Sequence, residues 1–312
     1  MTTEKQLSTK VWMDGEFVDE REAKVDFLSG SFQYGFSVFE GIRAYLTDKG
    51  PAIFRLREHI QRLYDSAKII GLEIPYSQNE MVKACIETVR ENGFDECYIR
   101  PVVYLAQGGM DLTLNNCTVS VAIATWQWQE FLGAGKQENG VRVVTSSFTR
   151  HHINSNMSKA KAAGNYMLFQ MARMLAHQQG YDEALLLDAQ GYVAEGSVEN
   201  VFIVKNGELI TPPLTYILGG ITRDTVIQVA GELGWVVREE YFTRDAAYIA
   251  DEMFFVGTGA EITPVIELDN RTIGDGKRGP VTQRLQRLYF ALVRGQTPDH
   301  PEWREMVAKP YL

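Results

Sequence analysis

The sequence predicts an α+β protein with two domains. Apolar residues recur at the period of a strand in several short stretches and at the period of a helix in others, and the two kinds are mixed along the chain. A polar, glycine-rich stretch with neither period, residues 130–140, separates two such blocks. We therefore expect an N-terminal domain at 1–129 and a second domain at 141–312, with 130–140 as the loop between them.

Strands open the first block. In VWMDGEFV, Asp14-Gly15 separates two alternating apolar runs, which is typical of a tight hairpin because its turn needs positive φ at both central residues. The run SFQYGFSVFEGIRAYL (31–46) is rich in aromatic and β-branched residues and predicts further strand, as does 51–54. Two later runs, CYIRPVVYL and TVSVAIATW, predict a pair of strands joined by a long loop.

Helices are predicted where the apolar period lengthens. Residues 57–70 carry an apolar stripe at the helical period, and Arg62 lies off that stripe. The next helix is predicted to begin near Ser77, where Glu80 completes a capping box, and to end near Gly93.

The second block alternates strands with helices. VRVVTSS, EALLLD and VFIVKNGELI predict strands, and Asn206-Gly207 in the last of them predicts a second hairpin. Further helices are predicted at 165–179, 222–233 and 280–294. A small-molecule site is commonly found where two such domains meet.

Composition and charge exclude several classes of function. With 31 Lys plus Arg against 40 Asp plus Glu, the formal net charge is −9, which disfavours nucleic acid as a partner. No run approaches the roughly 18 apolar residues of a membrane span, and the polar start is unlike a signal peptide. The three cysteines and five histidines show no metal-binding spacing. We expect a cytoplasmic protein without a metal site and without membrane or nucleic-acid partners.

One cluster places lysines in an apolar setting. SKAKAAGNYM (158–167) holds Lys159 and Lys161 among small residues that offer little solvation. Such a lysine can have a lowered pKa and act as an amine nucleophile. An exposed basic loop is the alternative, and it is the more frequent case because most lysines are solvated. The residues alone do not choose between the two lysines.

A second cluster, GYVAEGSVENVFIV (191–204), places Glu195 and Glu199 in a small, apolar run. A buried carboxylate there would need a cation, a backbone donor or a protonated ring nitrogen as its partner. A turn with solvated carboxylates is equally consistent with the run.

Two glycine-containing turns complete the set. LGGITRDTV (218–226) leads two glycines into a helix start at Thr222, where unpaired backbone N–H groups favour an anion. In FFVGTGAEITPV (254–265), Thr258 stands between glycines that allow close approach to a ligand. The alternative for 218–226 is an ordinary capped helix, and the alternative for 254–265 is a turn that ends a strand. Together the four clusters supply the amine, the carboxylate and the anion cradle that pyridoxal 5′-phosphate (PLP) requires.

The ordered set of motifs resembles the branched-chain amino acid aminotransferases, within the fold-type IV (class IV) PLP aminotransferases. The motifs run through nearly the whole chain: YGFSVFEGIR (34–43), FRLREHIQRL (54–63), YIRPVV (98–103), KAAGNY (161–166), AEGSVENVF (194–202), GGITRD (219–224) and GTGAEITPV (257–265). The resemblance implies a two-domain fold of the D-amino acid aminotransferase type. The small N-terminal domain would be α/β, and the larger, β-rich C-terminal domain would bind the cofactor.

The resemblance also implies which residues hold PLP. It selects Lys161 over Lys159 as the Schiff-base lysine and general acid/base. Glu195 would pair with the pyridine nitrogen, and Tyr166 would donate to the ring hydroxyl. The phosphate contacts would come from Arg62, Gly220, Ile221, Thr222 and Thr258.

The implied reaction transfers an amino group between branched-chain L-amino acids (Leu, Ile, Val) and 2-oxoglutarate. Arg100 and Tyr34 would hold the distal carboxylate of glutamate. The positions that match the family's substrate pocket are Tyr34, Phe39, Gly41, Tyr98, Arg100, Trp128, Phe131, Thr258, Gly259 and Ala260. Two depart from the family pattern, since Phe131 stands where several relatives have tyrosine and Gly259 where alanine is common.

Other enzymes of this fold type are the nearest alternatives. They are amine transaminases selective for the R enantiomer, D-amino acid aminotransferases and aminodeoxychorismate lyases. These remain alternatives because a small number of substitutions is enough to change the specificity of the pocket in this fold. A catalytically silent binding protein is the alternative from another class. The resemblance also implies that the loop at 105–117 reaches a neighbouring subunit, so we expect a homodimer or a higher homo-oligomer such as a hexamer.

Overall fold

The computed structural model describes residues 9–108, 112–127 and 131–308. Its eight helices over these residues are α1 (Gly30–Tyr34), α2 (Leu56–Ile70), α3 (Gln78–Asn92), α4 (Lys136–Asn139), α5 (Tyr166–Gln178), α6 (Ile221–Glu232), α7 (Arg244–Tyr248) and α8 (Pro280–Val293). The strands are β1 (Lys10–Met13), β2 (Glu16–Asp19), β3 (Ser37–Phe39), β4 (Ile42–Thr47), β5 (Gly50–Phe54), β6 (Cys97–Gln107), β7 (Thr118–Trp126), β8 (Val141–Thr149), β9 (Glu183–Leu187), β10 (Val193–Gly196), β11 (Asn200–Lys205), β12 (Glu208–Thr211), β13 (Val237–Glu239), β14 (Glu252–Gly257), β15 (Glu261–Leu268), β16 (Arg271–Thr272) and β17 (Arg304–Met306).

The chain forms two compact units. The N-terminal unit contains Met1–Trp128, Ala160–Gly164 and Ala291–Leu312. The second unit contains Gln129–Lys159 and Asn165–Phe290. Two segments that the sequence placed in the large domain, 160–164 and 291–308, are therefore grouped with the N-terminal residues. The predicted domain bounds themselves stay a prediction.

The N-terminal unit is built on one antiparallel sheet. Its strand order is β17-β5-β4-β6-β7-β1-β2, and β3 also pairs with β6. Helices α2 and α3 contribute their apolar faces to the same core as the strands. The fully buried members of that core include Val38, Ile42, Ile53, Leu56, Ile60, Leu63, Met81, Val89, Ile99, Val103 and Val121.

The second unit is built on a mixed sheet. Its strand order is β10-β9-β8-β15-β14-β11-β12-β13, and β16 pairs with β15. Strand β8 runs parallel to both of its neighbours, β9 and β15. Strand β14 runs antiparallel to both of its own neighbours, β15 and β11. Buried apolar residues from these strands form a second core, which includes Val141, Val143, Leu185, Val201, Phe255 and Val265.

Most of the predicted elements are confirmed. Both hairpins form, with positive φ at Asp14 (46°) and Gly15 (99°) and at Asn206 (51°) and Gly207 (79°). The five predicted helices begin and end within about one residue of their expected bounds. The capping box at Ser77 is also present, with side-chain and backbone bonds in both directions.

Two segments differ from the prediction. The strand predicted over 31–46 is wrong at its start, because Gly30–Tyr34 forms the helix α1. Ser29 caps this helix by accepting the Phe32 N–H, and Gly35 ends it in the left-handed region at φ 69°. The 130–140 stretch, which lacks a helical period, nevertheless contains the single turn of α4. Among the described residues, no helix is long and apolar enough to cross a membrane.

Candidate active site

Both backbone polar groups of Lys161, its N–H and its carbonyl, form hydrogen bonds. The Lys161 N–H donates to Ser66 Oγ at 3.0 Å, and the Lys161 carbonyl accepts the Phe39 N–H at 3.1 Å. The next residue forms an isolated antiparallel bridge with β3. Helix α2 and strand β3 therefore hold this segment of the N-terminal unit from two sides.

The amine of Lys161 lies in a partly buried environment with Arg62, Arg100 and Glu40 as its charged neighbours. Its Nζ is 5.2 Å from the centre of the Phe39 ring. Burial of the amine and the neighbouring Arg62 charge lower the pKa of Lys161 to about 8, although the Glu40 charge opposes them. A lysine with this pKa has an appreciable neutral fraction near neutral pH, and the neutral amine is the form that can act as nucleophile or base.

Lys159 differs from Lys161 in its surroundings. Its side chain is exposed, and its Nζ donates to the Leu214 carbonyl in the second unit. Burial and the Arg223 charge lower the pKa of Lys159 as well, while Glu195 raises it. The structure thus gives only Lys161 a position beside Arg62 and the predicted pocket residues, a distinction that the residue types alone did not provide.

Glu40 is a buried residue that sequence reasoning missed. Its carboxylate accepts Arg62 Nε at 2.6 Å and Arg62 Nη2 at 2.8 Å, and it lies 2.7 Å from His59 Nδ1. Burial by itself would raise the pKa of Glu40, but the charges and hydrogen bonds of Arg62 and His59 hold it well below its usual range. Burial lowers the pKa of His59 despite the attraction of Glu40.

This bidentate pair orients Arg62, whose side chain is otherwise mostly buried. The position of Arg62 off the apolar stripe of α2 is consistent with this pairing, since its guanidinium binds Glu40 in the segment between β3 and β4. The available sequence signal was a single carboxylate between the apolar residues Phe39 and Ile42 in FEGI. A buried carboxylate needs such a cation, but no role was predicted for Glu40 from the sequence.

Aromatic rings surround Arg100 in the same unit. Its guanidinium carbon lies 4.4 Å from the Phe39 ring centre, 5.4 Å from that of Tyr98 and 5.6 Å from that of Trp126. The sequence reasoning did not select Trp126, which packs against Tyr98 at 5.0 Å between ring centres. Arg100 is thus a cation held among ring faces, an arrangement that keeps its charge beside an apolar surface.

Gly41 allows Tyr98 to approach the backbone of the segment between β3 and β4. A Cβ atom on Gly41 would lie 1.8 Å from Tyr98 Oη and 2.7 Å from its Cζ. Tyr34 ends α1 with an exposed ring, and Trp128 lies outside the described residues. The N-terminal unit therefore collects one group of predicted residues around Lys161: Phe39, Gly41, Arg62, Tyr98 and Arg100.

In the second unit, Glu195 is a buried carboxylate with several partners. Its Oε1 accepts Arg150 Nε at 2.5 Å, and its Oε2 accepts Asn200 Nδ2 at 3.2 Å and the Leu218 N–H at 3.4 Å. The partner that the sequence required is therefore present as a buried arginine. Arg150 was not identified from sequence, because it lies 45 positions from Glu195 and no local pattern joins them.

The predicted anion-binding turn adjoins this carboxylate. Gly220 is the N-cap of α6, and a Cβ on Gly220 would lie 1.9 Å from Asn200 Oδ1. The Nδ2 of Asn200 bonds both Glu195 and the Leu218 carbonyl. Asn200 and the Leu218 N–H thus connect Leu218, three positions before α6, to Glu195.

A third group lies at the end of β14. Thr258, Gly259 and Ala260 form the turn into β15, and the Ala260 carbonyl accepts Thr263 Oγ at 2.7 Å. Phe131 packs beneath this turn, because a Cβ on Gly259 would lie 3.4 Å from Phe131 Cγ. Tyr166 begins α5, where its ring contacts that of Phe169 at 5.3 Å between centres.

Glu199, the other carboxylate of this motif, has a different environment. It is 3% exposed, its Oε2 accepts the Val198 N–H at 3.1 Å, and its Oε1 is buried without a hydrogen-bond partner. Burial first, and then the neighbouring Glu183 charge, raise the pKa of Glu199 well above its usual range. The residue types alone did not distinguish Glu195 from Glu199. In the structure Glu195 is paired with the Arg150 cation, whereas one oxygen of Glu199 has no hydrogen-bond partner.

We expect Glu199→Gln to remove a pH-dependent loss of stability. Because the pKa of Glu199 is raised by folding, the folded state retains a proton that the unfolded state releases above its ordinary pKa of 4.5. The Glu199 carboxyl therefore lowers the free energy of unfolding by an amount that grows as pH rises above 4.5. Melting temperatures measured between about pH 5 and pH 8 should show an advantage of the variant that grows with pH.

Glu91→Gln is the matched control, because Glu91 is exposed on α3. Its melting temperature should follow that of the wild type across the whole range. An advantage of Glu199→Gln that shrinks with rising pH, or that does not change with pH, would contradict the raised pKa.

Comparison with known proteins identifies the family. The family described as amino-transferase class IV matches residues 37–268. The branched-chain-amino-acid aminotransferase of Pseudomonas aeruginosa is 49% identical over 297 residues, covering 95% of this chain and 97% of that protein. The Escherichia coli K12 protein of the same name is 43% identical over 309 residues, covering 98% and 99%.

Solved structures agree with these relatives. The branched-chain aminotransferase of Thermoproteus uzoniensis with norvaline has a TM-score of 0.92 at 48% identity, covering 96% of this chain and 100% of that one. The branched-chain amino acid aminotransferase of Thermobaculum terrenum in its PLP form has a TM-score of 0.91 at 33% identity, covering 97% and 99%. These likenesses extend over both units, and the chain belongs to the class IV aminotransferases, among the branched-chain-amino-acid aminotransferases.

Proposed function

We propose that the protein is a PLP-dependent transaminase that transfers the amino group between L-leucine, L-isoleucine or L-valine and 2-oxoglutarate. The observation that carries this proposal is the amine of Lys161, which is held by its backbone beside Arg62 and Arg100 and has a pKa of about 8. The relatives named branched-chain-amino-acid aminotransferase support the substrate class.

The donor set of the chain fits PLP. The cofactor needs an amine, a carboxylate for its ring nitrogen and donors for a phosphate, and the chain offers Lys161, Glu195 and Arg62 for these parts. The close approach of Gly220 to Asn200 leaves no room for a side chain at the start of α6, which suits a phosphate held by backbone N–H groups. We assign the phosphate contacts to Arg62, Gly220, Ile221, Thr222 and Thr258, and the donor to the ring hydroxyl to Tyr166.

In this assignment Lys161 moves the proton. When bound, PLP supplies an electron sink that stabilises the negative charge developing at the substrate Cα. Lys161 Nζ takes the proton from the substrate Cα in one direction and returns it to Cα in the other. A pKa of about 8 suits both tasks, since the proton is neither too tightly nor too weakly held near neutral pH.

Glu195 acts by its charge. The ion pair with Arg150 and two further hydrogen-bond donors fix the direction of its carboxylate. A carboxylate so held favours a protonated nitrogen at the atom that it faces. We assign Glu195 this part, because the other carboxylate of the motif, Glu199, favours the protonated form.

The substrate groups are assigned by charge and shape. Arg100 and Tyr34 would bind the distal carboxylate of 2-oxoglutarate or glutamate, and a guanidinium suits a carboxylate by its paired donors. Tyr98 and the turn of Thr258, Gly259 and Ala260 would bind the α-carboxylate. The ring faces around Arg100, together with Trp128 and Phe131, would contact the branched side chain, and Gly41 would leave room next to the cofactor.

A homo-oligomer belongs to the same proposal, as a homodimer or a larger assembly such as a hexamer. The exposed side chains of Phe27, Leu28 and Phe32 lie close together in sequence and form a surface of the kind that a second copy covers. Phe27 and Phe32 also contact each other at 5.4 Å between ring centres.

A donor panel tests the proposed function. Purified protein supplied with PLP is assayed with 2-oxoglutarate and each of L-leucine, D-alanine and an aromatic R-amine, and pyruvate release from aminodeoxychorismate is measured separately. We expect L-leucine to give the highest kcat/KM. Preference for D-alanine or the R-amine, or pyruvate release without transamination, would replace the proposal with the corresponding reaction of this fold type.

A further inference from the structure

Arg173 connects a buried carboxylate to the predicted substrate pocket of the second unit. It lies on α5, and its Nε is 3.3 Å from Glu183 Oε2. Glu183 is fully buried on β9 and its Oε2 makes no hydrogen bond, so its contact with the guanidinium is an electrostatic one at salt-bridge distance. Neither residue stands in the sequence motifs that identified the pocket.

The guanidinium of Arg173 also stacks on Phe131. Its central carbon lies 4.2 Å from the centre of that ring, which is a close cation–π distance. A phenylalanine has no polar atom through which a hydrogen bond could fix its ring. Contact with a restrained cation on one face is therefore an effective way to hold the ring in one orientation.

The ring of Phe131 in turn lies against Gly259. The position that a Cβ on Gly259 would occupy is 3.4 Å from Phe131 Cγ, 3.6 Å from Cβ and 3.7 Å from Cδ2. Gly259 has no side chain of its own to restrict its backbone. The packed ring therefore restricts the glycine from one side, in addition to the Thr263–Ala260 hydrogen bond and the β14–β15 pairing that hold the ends of the turn.

We propose that Arg173 is a positioning residue for the substrate, because it holds Phe131 against Gly259 and so fixes the turn that binds the α-carboxylate. The inference rests on the proposed function in one respect, namely that the turn of Thr258, Gly259 and Ala260 binds that carboxylate. Arg173 acts through Phe131 and touches neither substrate nor cofactor in this scheme. Its effect should therefore be on substrate binding more than on the rate of proton transfer.

A double-mutant cycle tests this coupling. Arg173→Met combined with Glu183→Gln serves as a control for the buried carboxylate left without its cation, and the cycle itself is made in the wild-type background, which keeps the Glu183 contact. In this background Arg173→Met, Phe131→Leu and the pair are compared by KM and kcat for L-leucine and by melting temperature. We expect Arg173→Met to raise KM about 3- to 10-fold with little change in kcat, the loss expected from one cation–π contact.

The combined variant decides between coupling and independence. If Arg173 acts through Phe131, Arg173→Met adds no further rise in KM once Phe131→Leu is present. Independent effects that multiply would overturn the proposal, as would a lowered melting temperature with unchanged KM. Arg173→Lys retains the charge without the planar stack, so full recovery of KM by lysine would also count against it.

A binding measurement separates this inference from the proposed function. 4-Methylpentanoate has the carbon skeleton of leucine without its amino group, and its affinity for the PLP-supplied protein is measured by calorimetry. Arg173→Met should weaken its binding by the same factor as it raises KM. Intact binding by the wild type with no transamination would reject the function alone, whereas unchanged affinity in the variant would reject the positioning role alone.

Discussion

Lys161→Ala is expected to abolish transamination, lowering kcat for L-leucine and 2-oxoglutarate by about 10⁴-fold. The proposed proton transfer at the substrate Cα depends on the amine of this residue, and no other described amine shares its place beside Arg62, Tyr98 and Arg100. Single-turnover kinetics in saturating substrate measure the loss. Absorbance of the variant supplied with PLP, before and after borohydride treatment, checks whether a covalent attachment to the protein has been lost.

Lys159→Ala provides the matched control for this substitution. Lys159 is two positions away in the same small-residue run, but it is exposed and bonds the Leu214 carbonyl. Its alanine variant should retain nearly full kcat and a borohydride-sensitive visible band. If Lys159→Ala loses activity while Lys161→Ala keeps it, the assignment of the two lysines is reversed.

Glu40→Gln is expected to destabilise the protein by about 3 kcal/mol, because it leaves Arg62 and His59 in a buried place without their anion. Gln keeps the size of the side chain and one acceptor oxygen, so packing is nearly unchanged. The free energy of unfolding from urea titration at neutral pH measures the loss. Glu58→Gln is the control, since Glu58 pairs with Arg55 at 2.7 Å but is 38% exposed, and it should cost less than about 1 kcal/mol.

The pH dependence of this loss has a definite sign. The pKa of Glu40 is lowered by folding, so its contribution to stability is complete above the ordinary pKa of 4.5 and is lost as pH falls below it. The difference between wild type and Glu40→Gln should therefore shrink in acid. A difference that stays constant, or that grows as pH falls, would show that the Arg62 pair does not stabilise the fold.

Local features of the fold could be predicted from the sequence because their causes are local. The capping box at Ser77 and the two hairpin turns depend on residues within a few positions of one another, and all three are confirmed. Helix α1 was mistaken for strand because aromatic residues favour a strand in general. Its short helix depends instead on the cap at Ser29 and the glycine that follows.

Sheet order could not be predicted in the same way. The parallel pairing of β8 with both β9 and β15 joins segments that are far apart in sequence, and no turn signal marks it. Strand β17 pairs with β5 across most of the chain, although its sequence, REM, has little apolar character. Such pairings depend on the whole core and leave no local trace.

For the candidate site, the sequence selected the groups that carry charge but not their partners. Glu195 was predicted to need a partner and Arg62 to bind a phosphate, and the structure supplies Arg150 and Glu40 as their counter-charges. The choice of Lys161 over Lys159 came from the motif, and the physical difference between them depends on Arg62, which lies about a hundred positions earlier. Long-range electrostatic partners of this kind are set by tertiary structure alone.

The discontinuous make-up of the N-terminal unit has a consequence for synthesis on the ribosome. When its first 128 residues have emerged, the sheet still lacks β17, and the edge of β5 has open backbone groups until residues 304–306 are made. The Lys161 segment, which pairs with β3, also arrives later than the strand that receives it. The N-terminal unit can therefore be completed only after residues 304–306 are synthesised, and the surroundings that lower the pKa of Lys161 form only once its segment pairs with β3.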